Sequence, residues 1–228
     1  MLENTGDIYI VRLSAWAPGI ESPGEWDEWA LDRRSISFES KSPEIAYTSS
    51  IFRRRLSQLN KMTIQVVHDL LPLGDDTKIF FLSFRGELSR QFQINRMLVE
   101  EGELSPAAFS LSLYNAPVAL ATIAFGLKGG YSALYLEKNS FTAGIKAAEA
   151  ALLSGTTEEI ALVYADENVP PEYACFFQEC PPPVAFGLLL SRDSHPSSVS
   201  LSSLKKTEDS PLNFLKQILL RGEIHVST

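Results

Sequence analysis

Apolar and polar residues alternate over residues 7–14, with Ile8, Ile10 or Val11, and Leu13 on the apolar side, which predicts an opening β-strand. Residues 15–50 are rich in Trp, Pro, Gly and Ser and carry no period, so they read as irregular. The segment Ser22-Pro-Gly-Glu-Trp-Asp-Glu-Trp29 holds two of the three tryptophans, placed to pack over an edge or a partner. Over residues 52–71 the positions Leu56, Leu59, Met62 or Thr63, Val66, Val67, Leu70 and Leu71 fall on one face and predict a helix of about five turns, ended by Pro72. Ile79-Phe-Phe-Leu-Ser-Phe84 is a continuous apolar run of strand length, the pattern of a strand covered on both faces. Arg85-Gly86 breaks it, and a second helix follows over residues 89–99. An apolar segment, 115–127, ends at Lys128-Gly129-Gly130; residues 131–136 then read as a short strand, 140–154 as an Ala-rich helix closed by Gly155, and 160–165 as another strand. Beyond two proline clusters, 184–191 is a last apolar strand. Residues 191–203 are Ser-rich, with room for a short strand, and Leu212, Leu215, Ile218 and Leu219 share one face of a helix that starts at Ser210-Pro211 and stops at Gly222.

Strands alternating with helices predict an α/β layered fold with a largely parallel sheet whose final strand, after the proline loop, returns antiparallel. With 45% apolar residues spread evenly over 228 positions, the expectation is one domain, residues 1–228, with its core in 7–191 and an extension bearing an amphipathic helix in 192–228. The net charge of −8, with Arg53-Arg54-Arg55 the lone basic block, argues against nucleic acid or an anionic membrane as partner. The N-terminus lacks the regions of a signal peptide and the apolar run 116–127 is too short to span a bilayer, so a soluble, cytoplasmic protein is expected.

Candidate chemistry is sparse. The two cysteines, Cys175 and Cys180, allow neither a four-cysteine metal site nor a disulfide framework and read as small hydrophobes in a proline-rich loop. His68 lies on a helix face as a packed or solvated residue. Asp166-Glu167, at a strand end, has the form of a carboxylate pair. The glycines in Gly126-Leu-Lys-Gly-Gly130 lack dinucleotide or P-loop spacing. No cofactor and no metal are expected.

The series from Asn115 to Asp166, with its glycine-rich turn, strand, Ala- and Gly-bearing helix, glycine and second strand, resembles the nucleophile region of the β-ketoacyl synthases. Counting back from Gly155, the family's nucleophilic cysteine falls at Lys138, and its neighbours Glu137 and Asn139 are not cysteines either. The resemblance implies one half of a thiolase-like fold. Family members join two halves in one chain and take two histidines from the second; this chain is expected to end with the first half, and His68, His195 and His225 stand in no matching context. A lysine cannot accept an acyl group by transthioesterification.

Proteins that keep this scaffold without the cysteine are chain-length factors, and the sequence resembles a shortened one of the kind associated with aryl polyene biosynthesis. The resemblance implies a non-catalytic subunit in a heterodimer with a full-length β-ketoacyl synthase, serving an acyl carrier protein through the complex. The interface would be the strand Tyr131, Ser132, Ala133, Leu134, Tyr135 and Leu136, with Asn115 beside it. The far end of the partner's acyl tunnel would meet Phe92, Asn95, Phe109 and Tyr114, for which ordinary core packing is the competing reading. The alternatives are a stand-alone acyl-thioester hydrolase using Cys175 or Asp166, and a homodimeric acyl-binding module. Asp166-Glu167 would correspond to a polar loop where the family does no chemistry.

Overall fold

The computed structural model describes residues 6–137, 140–178, 180–204 and 209–227. Strand β1 (Tyr9–Trp16) opens the chain as its alternation predicts. The stretch expected to be irregular contains a helix, α1 (Pro23–Ala30). Pro23 starts it, and the Glu25 carboxylate turns back to accept the Ser22 and Glu21 amides at 3.0 and 2.9 Å, satisfying donors that a helix start leaves open. Its inner face buries Trp26 and Ala30.

The single helix expected over 52–71 is two: α2 (Ser50–Arg53) and α3 (Gln58–Asp69). Ser57 explains the break, because its hydroxyl accepts the Asn60 amide at 3.0 Å and sets a new helix start. Next come β2 (Lys78–Ser83), α4 (Leu88–Glu101), a short α5 (Pro106–Leu111) and α6 (Ala116–Phe125). They lead into β3 (Tyr131–Tyr135), α7 (Phe141–Leu153) and β4 (Glu159–Asp166). A 3-10 turn (Pro171–Phe176) precedes β5 (Val184–Ser191), and β6 (Val199–Ser200), α8 (Pro211–Leu219) and β7 (Val226–Ser227) complete the chain.

The seven strands form one sheet in the order β3-β2-β4-β5-β1-β6, with β7 also paired to β1. Strands β1, β2, β3, β4 and β7 run one way and β5 and β6 the other, so the strand after the proline loop does return antiparallel, between β4 and β1. The period-2 geometry of a strand sends Phe80 and Leu82 to one face and Ile79 and Phe81 to the other. On the first face lie α1, α7 and α8, with Phe141 of α7 meeting Phe186 and Phe214 edge to face at 6.2 and 5.5 Å. On the second, α3 and α6 cover Phe81, Val163 and Leu189.

Two details fix how the layers meet. Gly144 lets α7 sit close on the sheet, since a Cβ there would come within 2.8 Å of both Leu82 methyls. The segment past Ser191 belongs to the same core: α8 buries Phe214, Leu215, Ile218 and Leu219, and β7 extends the sheet beside Leu13 and Ser14. Four such side chains out of water are worth about 1.5–3 kcal/mol each. Among the described residues no helix is long and apolar enough to cross a membrane.

Candidate functional site

In open α/β sheets the place for chemistry is the carboxyl end of the parallel strands. Here β2, β3 and β4 end together, and Asp166 ties their ends. Its Oδ1 accepts the Ser83 hydroxyl at 2.6 Å and the Arg85 amide at 3.0 Å; its Oδ2 accepts the Tyr164 hydroxyl at 2.6 Å and the Phe84 amide at 3.2 Å. The Arg85 Nε lies 3.8 Å away. Burial, then the Asp166 charge, push the Tyr164 phenol well above its ordinary range, so it stays a donor to the carboxylate. With both oxygens taken and no exposure, Asp166 is a structural acceptor, with no free lone pair for a base or nucleophile. Glu167, also buried, accepts the Ser89 amide at 2.9 Å at the first turn of α4.

Tyr114 fastens the same strand ends from the other side. Its hydroxyl lies 2.7 Å from the Ser83 carbonyl and 2.6 Å from that of Leu134, and so bridges β2 and β3. Its ring rests on Gly86, where a Cβ would approach to 2.6 Å and where the backbone has φ +57°. Asn115 Nδ2 donates to the Tyr131 hydroxyl at 3.0 Å, joining the start of α6 to the start of β3.

A cavity of about 870 Å³ opens beyond these strand ends, walled by Phe84, Tyr135, Tyr164 and Phe176 with Arg85 and Pro211. On its rim stands a residue that sequence reasoning did not single out. Asp209, just ahead of α8, places Oδ1 2.5 Å from the Thr142 amide and 2.9 Å from the Thr142 hydroxyl, at the N-terminus of α7. The partial positive charge of that helix end therefore has an anion from the chain itself. No local motif could have flagged it, because the partners are 67 residues apart.

β3 is the outer strand of the sheet, paired with β2 alone among the described residues. The Leu136 amide donates to the Ser83 carbonyl and the Gly130 carbonyl accepts from Ile79, so alternate residues face β2 and the N–H groups of Tyr131, Ala133 and Tyr135 point outward. Tyr131, Ser132, Ala133 and Leu134 are half-buried and Tyr135 is 66% exposed, whereas Leu136 is buried in the core.

The residues expected at a tunnel end are dispersed. Phe92 packs edge to face on Tyr173 at 5.3 Å, Asn95 is exposed on α4, Phe109 is half-exposed on α5, and Tyr114 lies under the strand ends. None of the four lines the 870 Å³ cavity. Core packing, the competing reading, does not describe Phe109, which is 49% exposed. Lys138 lies outside the described residues, as does Asn139. His68 stacks on Tyr47 at 3.8 Å, with its Nδ1 2.9 Å from Asp69, on the α3–α6 side of the sheet. His195 and His225 are exposed; Cys175 is exposed, Cys180 half-buried, and both are free. Among the described residues no group of three or more His, Cys, Asp or Glu is placed to hold a metal ion.

Comparison with solved structures gives a chain from the ketosynthase ApeO in complex with its chain length factor ApeC, from Xenorhabdus doucetiae, at 25% identity and TM-score 0.76 over 93% of this chain and 91% of that one. The ishigamide ketosynthase/chain length factor matches at 12% identity and TM-score 0.68, over 82% of this chain and 62% of the other. A type II polyketide acyl-carrier protein–ketosynthase complex, AntDE:AntF, matches at 13% and 0.64, over 82% and 63%. These last two likenesses are of fold. No curated protein matches the sequence. The family profile of the β-ketoacyl synthase N-terminal domain matches residues 26–218. With most of its length inside that match, and with the mixed sheet and flanking helices of a thiolase-like half, the chain belongs to the β-ketoacyl synthase N-terminal domain family.

Proposed function

We propose that this chain is a non-catalytic chain-length factor. It pairs with a full-length, active β-ketoacyl synthase, stabilises it and shapes its acyl tunnel in aryl polyene biosynthesis, a type II polyketide pathway of fatty-acid-like chemistry. The carrier protein is met through the complex. The observation that carries this reading is the likeness to a chain from a ketosynthase–chain length factor complex, at 25% identity and TM-score 0.76 over 93% of this chain.

Three features support the reading. Lys138 stands where the family's nucleophile would be counted, and a lysine does not form the acyl thioester. The N-terminus of α7, which in a thiol enzyme would favour a thiolate, is already occupied by the Asp209 carboxylate. The β3 edge carries outward N–H groups and no charged side chain, the form of a strand that another sheet completes.

Coexpression with a ketosynthase tests the proposal. The two chains should copurify at a defined ratio, and the isolated chain should neither load an acyl group nor decarboxylate a malonyl-carrier substrate. Loading by the chain alone, or a homodimer that ignores the synthase, would overturn it.

A further inference from the structure

Three carboxyl and two guanidinium groups are packed together where α4 joins the rest of the domain. Asp166 and Glu167 close β4, Glu87 immediately precedes α4, Arg85 lies in the turn between β2 and α4, and Arg90 is in the first turn of the helix. Asp166 and Glu87 have no exposure and Glu167 has 2%, while the Arg85 and Arg90 side chains are 7% and 20% exposed. Such a group balances its charge only when one carboxyl keeps a proton.

The hydrogen bonds identify which one. Asp166 receives four donors. Glu167 takes the Ser89 amide on Oε1, and Arg85 Nη2 donates to its main-chain carbonyl at 2.9 Å. Glu87 is served least: Oε1 accepts the Ser57 hydroxyl at 2.7 Å, whereas Oε2, 3.1 Å from Arg90 Nε, makes no hydrogen bond. Arg90 turns its Nη2 to the Arg55 carbonyl instead. From α3 the facing groups, Ser57 and Gln58, are uncharged, and Gln58 accepts the Asn168 amide. Burial first, then the charge of Glu167, push the Glu87 carboxyl up to about 8.

Beyond Phe92 on Tyr173 and the Arg90 contact to the Arg55 carbonyl, the helix has few apolar anchors. Ile94 is its one buried residue, and Leu98 and Val99 are 50% and 85% exposed. We propose that a proton held on Glu87 pins the first turn of α4 to the domain, and that loss of this proton releases the helix. In the closed arrangement Glu87 stays protonated until about pH 8. With the helix open and Glu87 in water, it ionises in the ordinary carboxylate range. Opening therefore expels a proton between those limits, and the opening constant rises about tenfold per pH unit before levelling above about pH 8.

Deuterium exchange of the amides of residues 88–101 in the full chain, corrected for the intrinsic pH dependence of exchange, reads this constant. The wild type should show the rise between about pH 5 and 8 in α4 but not in α7. Glu87→Gln, which keeps the shape and carries no charge, should abolish it; Glu167→Gln should bring the levelling point to lower pH. A wild-type α4 whose corrected exchange is flat over this range, or a Glu87→Gln protein that keeps the slope, overturns the proposal. Should Glu87→Gln not fold, Glu167→Gln decides, because an unmoved levelling point also overturns it.

Discussion

Asp166 gathers two hydroxyls and two amides into one buried carboxylate, and so holds the turn after β2 against the end of β4. An asparagine there replaces one acceptor oxygen by an NH2 group that would face donors, and leaves Arg85 without its counter-charge. We predict that Asp166→Asn lowers stability by about 3 kcal/mol, read from the midpoint of urea unfolding. A variant of wild-type stability would show that the network is dispensable. Tyr114→Phe removes only the hydroxyl between the Ser83 and Leu134 carbonyls and should cost about 1 kcal/mol by the same measurement. Asp166 stood out in the sequence as a carboxylate at a strand end, but its role did not, because that depends on Ser83 and Arg85 more than 80 residues away. Asp209 was invisible for the same reason.

At the level of elements, β2 was legible because burial on both faces leaves an unbroken apolar run, and α7 because its alanines and Gly155 mark a packed helix with a stop. Helix α1 is masked by its Trp, Pro and Gly content, although Ser22, Pro23 and Glu25 spell a helix start. In the region of α2 and α3 the apolar period runs on across Ser57, whose cap divides the two helices. The outward N–H of Ala133 gives an element-scale prediction. Ala133→Pro removes a donor on the free side of β3 while sparing the ladder to β2. The isolated chain should therefore stay folded by circular dichroism, and the complex with the synthase should be lost in size exclusion. A complex of normal size would place the interface elsewhere. On α4 and α5, Phe92→Ala and Phe109→Ala, coexpressed with the synthase, should lengthen the carrier-bound products by about one two-carbon unit if these helices meet the tunnel, since each further methylene buried gains about 0.8 kcal/mol. Mass spectrometry of those products checks it; an unchanged distribution with an intact complex would leave the subunit supporting the synthase without measuring its product.

For the whole molecule, the alternation of strands and helices was enough to give the layered α/β architecture and the direction of β5. It left room for β6 in the Ser-rich segment but gave no sign of β7, because two residues leave no period to read. Their partner is β1, which also pairs along Tyr9–Trp16 with β5. Removing residues 221–228 should strip β7 from that side and lower the melting temperature by several degrees, checked by thermal unfolding. The pairing has a further consequence in time. On the ribosome β1 emerges well ahead of its nearest long partner, β5, which lies some 170 residues downstream, so at about 5–20 residues per second it waits on the order of ten seconds or more. During that interval Ile10 and Leu13, both fully buried in the finished protein, have no sheet to join. The nascent chain is therefore exposed to aggregation through β1 until β5 arrives to pair with it.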